Sequence, residues 1–128
     1  MKKLFTLFLT LFLIATNAYA EWTHYAKDEI GNISFYDKST LKRNGNKVKV
    51  WNYTNYSPND EQSKSLNVSS MRSLKEIDCV NETFKTLALS SYSKSDLKGD
   101  FTSVRYTSID YIVPESITAD LMKLVCKK

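Results

Sequence analysis

Glycine, proline and histidine are scarce: Gly31, Gly45, Gly99, Pro58, Pro114 and His24 are the whole supply of these types in 128 residues. So few glycines leave no Gly-rich loop to cradle a phosphate. Without a Pro- or Gly-rich stretch no linker divides the chain, and residues 21–128 read as one domain. One histidine and two cysteines, Cys79 and Cys126, fall short of the four ligands of a structural zinc site, so neither metal nor cofactor is expected. Catalytic sets are missing as well. His24 reads as a strand residue rather than a general base, and Glu76 and Asp78 alternate with apolar residues as a solvated strand face does, so no catalytic residue is expected. Positive charge is in only mild excess, too little for the concentrated basic footprint of a nucleic-acid binder.

A long apolar run is also missing. The longest, Leu4 to Ala15, is about twelve residues, whereas a helical membrane span takes roughly twenty. With Lys2 and Lys3 before it and Ala18-Tyr19-Ala20 after it, the run has the three parts of a secretory signal, expected to be cleaved after Ala20. Residues 1–20 are thus a signal peptide and no membrane span is expected. No cysteine near the cut can accept a lipid. Lys2 and Lys3 account for two of the four excess positive charges, which leaves +2 on the processed chain.

Export leads to an oxidising space, where two cysteines in a small domain read first as one disulfide, Cys79 to Cys126; free or intermolecularly paired thiols are the alternative. Strand signals fill the rest. Trp22–Ala26 and Ile33–Tyr36 flank a turn at Gly31-Asn32, and Asn44-Gly45 marks a hairpin leading into Lys47–Tyr56. After the polar loop that Pro58 opens come Leu66–Cys79 and Thr83–Ser93, whose short connector requires an antiparallel pair, and then Phe101–Thr107. From Pro114 the spacing changes: Ile117, Leu121, Leu124 and Val125 mark one stripe of an amphipathic helix, with Pro114 in its first turn. The fold class is α+β, an antiparallel sheet of about six strands with a C-terminal helix packed on it. Lys42, Arg43, Lys47 and Lys49 surround the Asn44-Gly45 turn, and with Trp51 and Tyr53 they read as a cationic and aromatic patch for an acidic partner. The alternative is a solvated hairpin whose lysines discourage edge pairing.

Several segments together carry a resemblance: Trp22, GNISFYDKSTLKRNGNKVKVW from Gly31 to Trp51, SSMRSLKEIDC from Ser69 to Cys79, FKTLALSSYS from Phe84 to Ser93, and VPESITADLMKLVC from Val113 to Cys126. Taken in order they resemble the surface-adhesin protein E family of Gram-negative bacteria. The resemblance implies an antiparallel sheet with a C-terminal helix held by one disulfide, no enzymatic residues, binding of host extracellular matrix proteins, and self-association as a homodimer. A cell-surface, periplasmic or secreted location follows from export. Because the chain lacks a lipid-accepting cysteine, a periplasmic envelope protein acting as an inhibitor or structural interaction module is the alternative function.

Overall fold

The computed structural model describes residues 19–105 and 108–127; residues 1–18 of the expected signal peptide 1–20 lie outside the described residues. Strands β1 (Trp22–Lys27), β2 (Ile33–Asp37), β3 (Lys42–Asn44), β4 (Lys47–Asn55), β5 (Ser70–Asp78), β6 (Thr83–Lys94), β7 (Lys98–Val104) and β8 (Ile109–Tyr111) are accompanied by a 3-10 turn (Lys38–Thr40) after β2 and two α-helices, α1 (Glu61–Ser65) after β4 and α2 (Ile117–Val125) after β8. One antiparallel sheet runs β1-β2-β4-β5-β6-β7. Two three-residue strands complete it. β3 follows β2 on the edge of β4, and β8 shares the edge of β6 with β7.

Local chemistry explains where these elements differ from the sequence reading. Gly45 takes φ 60 in the β3–β4 turn, as the Asn-Gly signal requires. The Asp60 carboxylate accepts from the Ser63 N–H at 3.0 Å. That N-cap draws residues 61–65 into α1, so β5 begins at Ser70 rather than Leu66. Pro114 lies ahead of α2 rather than in its first turn, because the Ser116 hydroxyl is the cap and accepts from the Ala119 N–H at 3.1 Å. β7 begins at Lys98, three residues ahead of the expected strand, whose last residues, 106 and 107, are outside the described set.

α2 lies on one side of the sheet only. Leu121, Val125 and Ala119 pack there against Tyr36, Val48, Val50, Ile77 and Ile112 to form the core. Ala119 takes the place expected of Leu124, which is 37% exposed. Cys79 and Cys126 form the disulfide, joining the residue after β5 to the C-cap of α2 with 5.7 Å between their Cα atoms. Among the described residues no helix is long and apolar enough to cross a membrane.

Candidate functional site

Alternation along a strand sends neighbouring side chains to opposite sides. In β4, Val48, Val50 and Asn52 turn toward α2, so Lys47, Lys49, Trp51, Tyr53 and Asn55 turn away from it. The register then assembles the opposite side of the sheet, which neither described helix covers. Tyr53 pairs with Phe35 and Arg72, and Phe35 pairs with His24. Trp51 pairs with Leu74, and Tyr92 pairs with Ser70 and Phe101.

The result is an aromatic strip crossing six strands, about 24 Å at the usual interstrand spacing. Phe35 stacks on Tyr53 with ring centroids 4.7 Å apart, and Trp22 meets Tyr53 edge-on at 4.8 Å. At the far end Tyr92 and Phe101 are 5.9 Å apart. Arg72 sits in the middle. Its guanidinium carbon is 5.2 Å from the Trp51 ring centre and 6.0 Å from that of Tyr92, a cation held between two rings. Its Nε is buried without a hydrogen-bond partner, and no carboxylate among the described residues lies within ion-pair distance. Trp, Tyr and Arg at the centre of an open surface are the residues that dominate protein-binding energetics.

Beside the strip lies a charged corner. Lys42, Lys49, Glu76, Lys85 and Ile109 face one another across five strands in a single register row. Lys47 reaches Glu76 at 3.9 Å. A cleft of about 410 Å³ opens here, bordered by Lys47, Glu76, Lys85, Ile109 and Tyr111. Three of the four cations in the sequence-derived patch, Lys42, Lys47 and Lys49, share this corner with Trp51 and Tyr53 further along the same side. Arg43 does not. It pairs with Val48 on the helix side, and its Nη2 donates to the Val125 and Lys127 carbonyls at 2.8 and 3.2 Å, closing the C-terminal end of α2. Arg72, Phe35, Tyr92 and Phe101 were not singled out by sequence reasoning, because their membership depends on a register across six strands.

The helix side carries one chemically unusual group. Lys75 Nζ donates to Ser73 Oγ at 2.8 Å, and Ser73 donates on to Asn52 Oδ1 at 2.8 Å. Burial pushes the Lys75 amine down to about 8. A serine beside a lysine of lowered pKa is a nucleophile pattern. Here the Ser73 side chain is only 3% exposed, so the chain of bonds works as a buried strut. Among the described residues no cluster of three or more His, Cys, Asp or Glu side chains could hold a metal ion.

Against known proteins, the family profile described as Surface-adhesin protein E matches residues 22–127. Crystal form II of Haemophilus influenzae protein E superposes with a TM-score of 0.61 at 12% identity, covering 87% of this chain and 91% of that chain. A second structure of Haemophilus influenzae protein E gives 0.59 at 12% identity, with 87% of each chain covered. The protein E of non-typeable Haemophilus influenzae gives 0.55 at 11% identity, covering 87% of this chain and 78% of that one. At such identities the likeness shows the fold. No curated protein sequence matches the chain.

Proposed function

Because the chain belongs to the Surface-adhesin protein E family, we propose that it is an exported, non-enzymatic binding protein whose helix-free sheet face engages host extracellular matrix proteins. One observation carries the reading. The aromatic strip centred on Arg72 is the only described surface that combines the Trp, Tyr and Arg anchors of a protein interface with lack of cover by a helix. A saturation-binding assay of the processed protein on immobilised vitronectin and laminin tests it. Saturable binding that falls at least about tenfold in Trp51→Ala is expected, the loss typical of an interface anchor. No saturable binding to either protein contradicts the matrix-binding role.

Export receives support from the N-terminal end of the domain. The Glu21 backbone nitrogen lies 3.0 Å from Asp37 Oδ1, while Ser39 donates to the same oxygen from its N–H at 2.9 Å and from its hydroxyl at 2.6 Å. Burial alone would raise the Asp37 carboxyl, but the bonds from Ser39 and Glu21 outweigh it and hold the group below the usual range. Ala20 and Glu21 are both exposed. Cleavage after Ala20 turns the Glu21 N–H into an α-ammonium, and a bond to the buried carboxylate becomes an ion pair. The form beginning at Glu21 is therefore expected to melt about 5 °C above a form that retains Ala20, a gain of about 1 kcal/mol. Asp37→Asn is expected to abolish the difference. Equal melting of both forms with Asp37 intact contradicts the pairing.

A further inference from the structure

Resting on the reading of the helix-free face as the binding surface, we propose that its occupant is an extended acidic segment of a partner polypeptide. One carboxylate of that segment is held by Arg72 between Trp51 and Tyr92, and a second is held by Lys42 and Lys49.

Charge selects the sign of the ligand. Lys42, Lys47, Lys49, Arg72 and Lys85 all lie on this face, against Asp37, Glu76, Asp78 and Asp96; Asp37 already accepts from Ser39 and Glu21, and Asp96 from the Asn55 side-chain amide at 2.7 Å. Asp78 is already occupied by the Val80 and Asn81 N–H groups at 3.1 and 3.0 Å and by the Asn81 side-chain amide. Lys42 stands directly opposite Lys49, a like-charge pair that costs stability until an anion lies over it. Arg72 presents a planar fork of donors suited to a carboxylate, with no acid of its own chain in reach among the described residues.

Ring orientation selects the kind of anion. Phe35 and Tyr53 are within 15° of parallel and stack on each other, so they offer edges rather than the open faces on which sugars or bases lie. Such edges, with Leu74 opposite Trp51, form a ridged apolar strip suited to side chains. Register then sets the spacing. Arg72 pairs with Tyr53 and Glu76 with Lys49, four residues apart along β4, about 13 Å. An extended peptide lying along the strands covers that distance in four residues and turns alternate side chains to the sheet. The segment therefore reads acid, any residue, apolar, any residue, acid, with the apolar side chain over Trp51 and Leu74.

The test is an amide- and indole-detected NMR titration of the processed protein with three probes: an end-capped Glu-Ser-Trp-Ser-Glu peptide, its Lys-Ser-Trp-Ser-Lys counterpart, and heparin fragments. Saturable shifts at the Trp51 indole, Arg72, Lys49 and Ala88 with the acidic peptide alone are expected. Arg72→Gln is expected to weaken the apparent Kd about tenfold, the loss of a bidentate charged contact, while Lys123→Gln on the outer side of α2 leaves it unchanged. No shifts, equal shifts with the basic peptide, or insensitivity to Arg72→Gln overturns the proposal, and binding of heparin in place of the acidic peptide overturns its polypeptide character. Failure of the intact protein to bind vitronectin or laminin while the peptide still titrates removes the matrix partners and leaves this site standing.

Discussion

Replacing Cys79 and Cys126 together by serine is expected to lower the unfolding free energy of the processed domain by about 4 kcal/mol, the chain-entropy cost of reopening a loop of this size. The bridge spans 47 positions in sequence and holds the last turn of α2 to the end of β5. α2 has nine residues, too short to persist as a helix alone, so its place depends on what fixes its two ends. Ser116 caps one end, and Arg43 with the disulfide closes the other. Against a typical domain stability of about 5–15 kcal/mol, loss of the bridge decides whether α2 stays docked over Val48, Val50 and Ile77. Equilibrium urea unfolding of the double variant and the parent under oxidising conditions measures the difference. Identical curves would mean that Leu121, Val125 and Ala119 hold the helix unaided.

A second large effect belongs to Lys75, and here the variant is the more stable protein. In the unfolded chain the amine titrates near the ordinary 10.5, whereas in the fold the loss of hydration lowers it to about 8. Below pH 8 both states are protonated and the fold carries the full penalty of a buried charge. Between about pH 8 and 10.5 the unfolded chain binds more protons than the folded one, so stability rises with pH through that window, by roughly 3 kcal/mol in all. Above pH 10 the effect is opposed by Tyr25, Tyr53 and Tyr56, whose phenols burial raises: there the unfolded chain loses protons that the fold retains. Urea unfolding at pH 7 and 9.5 therefore shows the parent gaining stability. Lys75→Met is expected to be about 2 kcal/mol more stable than the parent at pH 7, allowing for the lost bond to Ser73, and to show a flat profile. A parent with no gain between these pH values contradicts the buried charged amine.

Much of this architecture is written locally. Asn44-Gly45 and the alternation in Lys47–Asn55 announce a hairpin strand, and the change of period after Pro114 announces α2. What escapes local reading is short or long-range. β3 and β8 have three residues each, too few for any periodic signal. Leu66 looks like a strand start, yet the Asp60 cap ends in a helix that leaves it 65% exposed. In β6, Phe84 and Thr86 share the helix side as alternation predicts, but the register shifts where Leu74 pairs with Ala88 and Lys75 with Thr86. Leu87 is the extra residue, and beyond it every side chain changes sides. That bulge puts Tyr92 beside Arg72, which no count of alternate residues along β6 reveals. The candidate site was legible along β3 and β4, where Lys42, Lys47, Lys49, Trp51 and Tyr53 are neighbours in sequence; Arg72 and the other rings are gathered from the remaining strands.

The helix is clamped on one side of the sheet and the proposed binding surface is the other, a division that hydroxyl-radical footprinting tests most directly. The processed protein is labelled free and then in excess vitronectin or laminin. Trp22, Trp51, Tyr92 and Phe101 are expected to be oxidised in the free protein and protected in the complex, while Leu121, Val125 and Ile77 stay unlabelled in both. Rings already protected in the free protein, or protection confined to α2, would contradict the account.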